Sequence, residues 1–186
     1  MSRFDKGRCI KYDALHTCGH DGKCDTVGLT LHSGGRMIVQ ITRRARFSAA
    51  HSYQNMPENA LPPLLRERAR QGIPHGHNYA VDITCRGRVD ERTGMVLNVT
   101  ELDRLLKEVL GPLDQSFLER EHPDVAWGLP TTENLCRWVW MRCLNHLSCV
   151  SITRVRVAES DILWSEYRGE PDMAVYMSRA YEFAAA

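Results

Sequence analysis

The sequence predicts an α+β fold, in which an antiparallel sheet of four strands is covered on one face by two helices. Strand-like runs occur in pairs toward the two ends of the chain, and two amphipathic helical segments lie between them. Strands and helices are therefore segregated, where alternation would signal a parallel sheet. The 186 residues, 43% of them hydrophobic, also suit one domain with a real core.

Residues 1–36 read as an N-terminal extension, rich in Gly, Asp, Cys and His with weak periodicity and closed by Gly34-Gly35. Residues 37–183 form the domain. A first strand runs through "MIVQITRRARFSA" and ends near His51. The connection from Ser52 to Pro74 carries four prolines and a short helical turn at 64–70. Connections of that length are usually functional. In the second strand, "NYAVDITCRGRV", Val81, Ile83 and Cys85 alternate with Asp82, Thr84 and Arg86.

After the "DERTG" turn, where Gly94 supplies backbone freedom, Thr100 and Asp103 make a capping-box-like helix start. Leu102, Leu105, Leu106, Val109 and Leu110 form its apolar stripe, and Gly111-Pro112 stops it. The second helix starts with Thr131 or Thr132 as N-cap and runs to about Leu147. Strands near 150–159 and 173–183 close the chain.

The formal charge is +1, from 24 basic and 23 acidic side chains, so no nucleic-acid or membrane-surface partner is expected. Local basic runs such as Arg43-Arg44 read as solvated faces. No segment reaches the roughly 18 apolar residues of a membrane span, and the N-terminus lacks a secretory apolar core. A cytoplasmic protein is expected. Seven cysteines, an odd number, then argue for thiols or metal ligands over a disulfide framework. Cys85, Cys136, Cys143 and Cys149 fall in or beside predicted elements and read as buried small hydrophobes.

In "PHGHNY", His75 and His77 are two apart, so an extended backbone presents both imidazoles on one side, with Gly76 between them leaving room to bend. His51 ends the preceding strand, and pairing of the two strands brings it to them. Three neutral imidazoles suit Zn²⁺ with a fourth position open for chemistry. Polar loop histidines are the alternative. Near the chain's end, Thr153, Val155, Val157 and Glu159 share one strand face. An acid at the end of that inward row needs donors. The guanidine-like edge of a pterin or guanine offers two parallel N–H groups to it. An exposed strand end or an arginine partner is the alternative.

"RFSAAH" (46–51), "HGHNY" (75–79) and "TGMVLNVTELDRLLKEVLGPLD" (93–114), followed by "TTEN" (131–134) and "AES" (158–160), together resemble the 6-pyruvoyl-tetrahydropterin synthase and 6-carboxy-tetrahydropterin synthase family. The resemblance covers about 37–183, and its wording is nearer the pyruvoyl branch. It implies a T-fold of four antiparallel strands and two helices, assembled as homo-oligomeric trimers or hexamers with active sites between subunits. It implies Zn²⁺ on His51, His75 and His77, a pterin ring anchored by Glu159, and Glu133 and Thr132 beside the pterin. Glu133 is equally an acid favoured in a helix's first turn. The implied substrate is 7,8-dihydroneopterin triphosphate or a related dihydropterin, processed by proton transfer with triphosphate elimination or side-chain cleavage.

Two positions depart from the family. Where a catalytic cysteine is usual, four to six residues before the histidine pair, the chain has Ala69, Arg70 and Gln71. In the usual Asp-His pair Asp114 remains, but Gln115 replaces the histidine and cannot relay a proton. Asp114, Glu159 and Glu67 are the candidate proton carriers, with Glu58 or an N-terminal thiol behind them. The competing expectation is an impaired module that binds zinc and a pterin or purine-like ligand without the usual reaction. Cys9, His16, Cys18, His20 and Cys24 are metal-ligand types whose spacing matches no standard finger, so a second metal and a packing extension stay open.

Overall fold

The computed structural model describes residues 7–11, 15–18, 24–33, 36–52, 73–126, 129–144, 146–147 and 150–182. Among them lie strands β1 (Gly7–Lys11), β2 (Leu15–Cys18), β3 (Cys24–Ser33), β4 (Arg36–His51), β5 (His75–Arg88), β6 (Ser116–Phe117), β7 (Val150–Ser160), β8 (Leu163–Tyr167) and β9 (Val175–Arg179). The helices are α1 (Val99–Leu110), α2 (Leu118–Glu121), α3 (Pro123–Ala126) and α4 (Thr132–Cys143).

The strands form one sheet in the order β1-β3-β4-β5-β7-β8-β9, with β2 on β3 and β6 on β4. Pairing is antiparallel except for β6, which runs parallel to β4. The expected four-stranded sheet is therefore corrected to a larger, mixed one. Two causes account for it. The segment read as an extension supplies β1 to β3, and β3 pairs with β4 from Val27↔Ile41 to His32↔Arg36. Its alternation of Val27, Leu29 and Leu31 with Gly28, Thr30 and His32 becomes decisive only once β4 offers an edge. At the other end, β8 intervenes before the expected last strand, because its buried positions are Ser165 and Tyr167 and give no apolar alternation.

Helix α1 packs on β4 and α4 on β7 and β8. The core between them holds Phe47, Val81, Ile83, Val155 and Val157 of the sheet with the Leu102, Leu105 and Leu106 stripe and Leu135, Val139 and Cys143 of α4. Burial of such a side chain is worth roughly 1.5–3 kcal/mol, so this interface dominates stability. Cys85, Cys136 and Cys143 are buried as expected. Cys149 lies outside the described residues, as does the turn expected at 64–70.

Local expectations change at several points. The α1 N-cap is Asn98, whose Oδ1 accepts from the Thr100 amide at 3.1 Å, so Thr100 is already inside the helix. Asp103 takes no part in capping: it accepts from Arg43 Nε and Nη2 at 2.5 and 2.8 Å. Arg43 is consequently buried and Arg44 is clamped by Asp82 at 2.7 Å, so neither is a freely solvated charge. Finally, the β5–β7 register slips between Thr84 and Cys85, leaving Thr153 unmatched. This bulge lets Ile152, three residues before Val155, take the buried position expected of Thr153. Thr131 is the α4 N-cap, and that helix ends at Cys143, short of Leu147.

Candidate metal centre

The long β4–β5 ladder brings the three histidines together. His51 is the direct partner of His75, and Ala49 that of His77, so the pleat turns all three imidazoles to the helix-covered face. Ring centroids are 4.3 Å apart for His51–His75 and 5.1 Å for each of the other two pairs. One nitrogen from each ring can be chosen so that all three lie within 4.8 Å of one another. Below them Tyr79 meets His77 edge-on at 5.7 Å and stacks on Phe47 at 4.9 Å, which gives the cluster a rigid floor. Gly76 is not required by space: a Cβ there would meet the Ala49 carbonyl oxygen at an ordinary 3.6 Å.

Burial, with the neighbouring His75 and His77, lowers the His51 pKa to about 3, and burial lowers that of His77 as well. Neutral imidazoles keep the lone pairs a metal needs. Three such nitrogens converging from two strand ends, with His75 exposed and His51 fully buried, fit a Zn²⁺ ion that keeps one side open to a ligand.

Glu159 ends β7 half-buried. Burial raises its pKa and the Glu133 charge adds to that, while His75 and Arg179 oppose it. Glu159, Glu133 and His75 thus share one electrostatic neighbourhood. Thr132, beside them at the start of α4, is buried; its hydroxyl shares a hydrogen bond with Ser165 Oγ at 2.7 Å and donates to Glu133 Oε2 at 3.2 Å. Asp114 stands apart. Its Oδ1 accepts from the Ser48 amide at 2.8 Å, three residues before His51, or about 10 Å along the strand. Glu67 and Glu58 lie outside the described residues.

Gln115 lines a cleft of about 290 Å³ with His77, Ser48, Asn78 and Ser116. Its φ of 61° is left-handed, a strained conformation for a side chain of this size, held by donation of its amide to the Ser48 carbonyl at 2.6 Å. Sequence reasoning missed Glu119 of α2. Its Oε1 accepts from the amide of buried Ser52 at 2.5 Å, directly after His51, and its Oε2 is buried without a hydrogen-bond partner. Sixty-seven residues separate that pair, so no local pattern could have linked them.

The pattern described for 6-pyruvoyl tetrahydropterin synthase matches residues 40–170, a span that includes every one of these site residues. The chain is 36% identical over 138 residues to 6-pyruvoyl tetrahydrobiopterin synthase of Poecilia reticulata, covering 72% of this chain and 92% of that one. It belongs to the 6-pyruvoyl tetrahydropterin synthase family. The human 6-pyruvoyl tetrahydrobiopterin synthase is 32% identical over 145 residues, 76% of this chain and all of its own. A putative 6-carboxy-5,6,7,8-tetrahydropterin synthase of Archaeoglobus fulgidus is 32% identical over 134 residues, 71% and 96% of the two chains. The solved Caenorhabditis elegans 6-pyruvoyl tetrahydropterin synthase has the same fold, with a TM-score of 0.56 at 22% identity, covering 77% of this chain and 96% of that one. The β1–β3 strands precede the family match.

Proposed function

We propose that this family member is a zinc-dependent pterin-processing enzyme. Its substrate is 7,8-dihydroneopterin triphosphate or a related dihydropterin, which loses triphosphate or its side chain through proton transfer. The observation carrying the reading is the three-imidazole cluster with Glu159 in the field of both His75 and Glu133. His51, His75 and His77 would hold Zn²⁺, which supplies Lewis acidity to side-chain hydroxyls when bound. Glu159 anchors the ring by accepting its paired N–H groups. Glu133, oriented by Thr132, adds a second acceptor on the same side. Among the carboxylates assigned to proton transfer, Glu159 interacts with His75 and Asp114 is engaged by Ser48, while Glu67 lies outside the described residues. The same proposal includes assembly as a homo-oligomeric trimer or hexamer.

Gln115 favours a second reading. A side chain that cannot titrate occupies the strained position where a proton relay is expected, which suits a module that binds zinc and a pterin without turnover. Zinc analysis of the purified chain, joined to incubation with dihydroneopterin triphosphate and chromatography of the products, separates the two. Triphosphate release by the wild type and none from His75→Ala supports the enzyme. Ligand binding with zinc but no product supports the module, and a metal-free wild type that refuses Zn²⁺ sinks both.

A further inference from the structure

The side chains of Cys9, His16, Cys18, His20 and Cys24, the N-terminal residues of metal-ligand type, lie outside those described. Within the domain, the backbone that carries His51 has a second support that the ligand set does not explain. His51↔His75 is the last pair of the β4–β5 ladder, and ladder ends open more readily than ladder interiors. A ligand at such an end needs support from the strand's other edge if its ring is to stay in place.

Residues 114–119 grip that other edge. Asp114 Oδ1 accepts from the Ser48 amide at 2.8 Å, and the Gln115 amide donates to the Ser48 carbonyl at 2.6 Å. Ser116 and Phe117 then pair in parallel with Ala49 and Ala50. The same offset of 67 positions joins Glu119 to Ser52, whose amide donates to Glu119 Oε1 at 2.5 Å. Fully buried Leu118 fixes the segment in the core. His51 thus sits between two gripped residues, Ala50 and Ser52. Glu119 Oε2 is buried with no hydrogen-bond partner among the described residues. An acceptor left in that state is costly, so its retention calls for a use beyond stability.

We propose, on the metal reading of the three histidines, that Glu119 is a positioning residue of that centre. By holding the Ser52 amide it fixes the end of β4, so that the His51 imidazole stays aligned with His75 and His77 before an ion arrives. Glu119 is not itself a ligand: the donor atoms within 4.8 Å of one another come from the three histidines. An aligned triad loses less freedom on binding, so the support is expressed as affinity.

Zn²⁺ affinity, measured by competition with a chromophoric chelator on the full chain stripped of metal, tests this. The equivalent that His51→Ala/His75→Ala loses defines the centre. For that equivalent Glu119→Ala should bind about 10- to 100-fold more weakly than the wild type, the usual effect of losing an outer support of a ligating histidine. Glu119→Gln should stay close to wild type, because its side-chain carbonyl still accepts from Ser52, even though an amide group in place of buried Oε2 lowers Tm. If Glu119→Ala does not fold without metal, Glu119→Asp, whose carboxylate is one methylene shorter, takes its place with the same expectation. Unchanged affinity in Glu119→Ala, or an equal loss in Glu119→Gln, overturns the proposal and leaves the histidine centre standing. Equal Zn²⁺ binding by the wild type and the double histidine variant removes the metal reading itself, and this inference with it.

Discussion

At the end of β4, burial and two neighbouring imidazoles hold His51 neutral, with its pKa lowered from 6.5 to about 3. The unfolded chain would take up a proton at this residue that the folded chain refuses. The contribution to stability is therefore full above pH 6.5 and is lost progressively as pH falls toward 3. Melting curves of the metal-free protein across that acid range should show Tm falling, and His51→Gln should flatten the trend; an equally steep profile in the variant would refute this origin. Glu159 makes a separate prediction. Glu159→Ala should weaken dihydropterin binding roughly 10- to 100-fold, the worth of a lost charge-assisted hydrogen bond, and leave metal content unchanged. Calorimetry with and without the variant checks it, and equal affinities would remove the ring-anchor role. The spacing of His75 and His77 was legible because strand geometry alone aligns them, whereas Glu119 was not, since its grip on Ser52 depends on where α2 lands.

At the scale of elements, capping and close packing explain where helices begin and turns fit. Both long helices were legible from their stripes, yet the α1 start was misread by two residues, because Asn98 offers a better acceptor than Thr100 once the chain enters extended. Gly169 shows a constraint no stripe reveals. It follows β8 with φ 73°, and a Cβ there would lie 2.3 Å from the Trp140 ring of α4. Trp140 is buried and cannot swing aside, so Gly169→Ala combines backbone strain with overpacking and should cost about 3 kcal/mol. Chemical denaturation measures it directly. A change below about 0.5 kcal/mol, the range of a neutral surface substitution, would contradict the packing described.

For the whole molecule, β4 is the organising strand. One edge carries β5 along its length; the other carries β3 at its start and β6 near its end. Removing residues 1–35 would bare the first part of that edge, and unpaired edges associate. The shortened chain should keep metal at His51, His75 and His77, whose ladder lies at the opposite end of β4, but self-associate more than the full chain. Sedimentation and metal analysis of the two forms check both halves, and a shortened chain with unchanged association would deny β3 a protective role.

By itself the sequence determined the α+β class, the two helices, the order of the domain's main strands and the shared orientation of His75 and His77, because each rests on short-range periodicity or on spacing along one strand. Family membership was legible for a related reason: its motifs are contiguous runs. Only the tertiary structure decided the size of the sheet, the Arg43–Asp103 clamp, the neighbourhood of Glu159, Glu133 and His75, and the register that sets Cys18 opposite Cys24. These join residues far apart in the chain or depend on a register, and the energy of such a contact exists only after the sheet has brought its partners together.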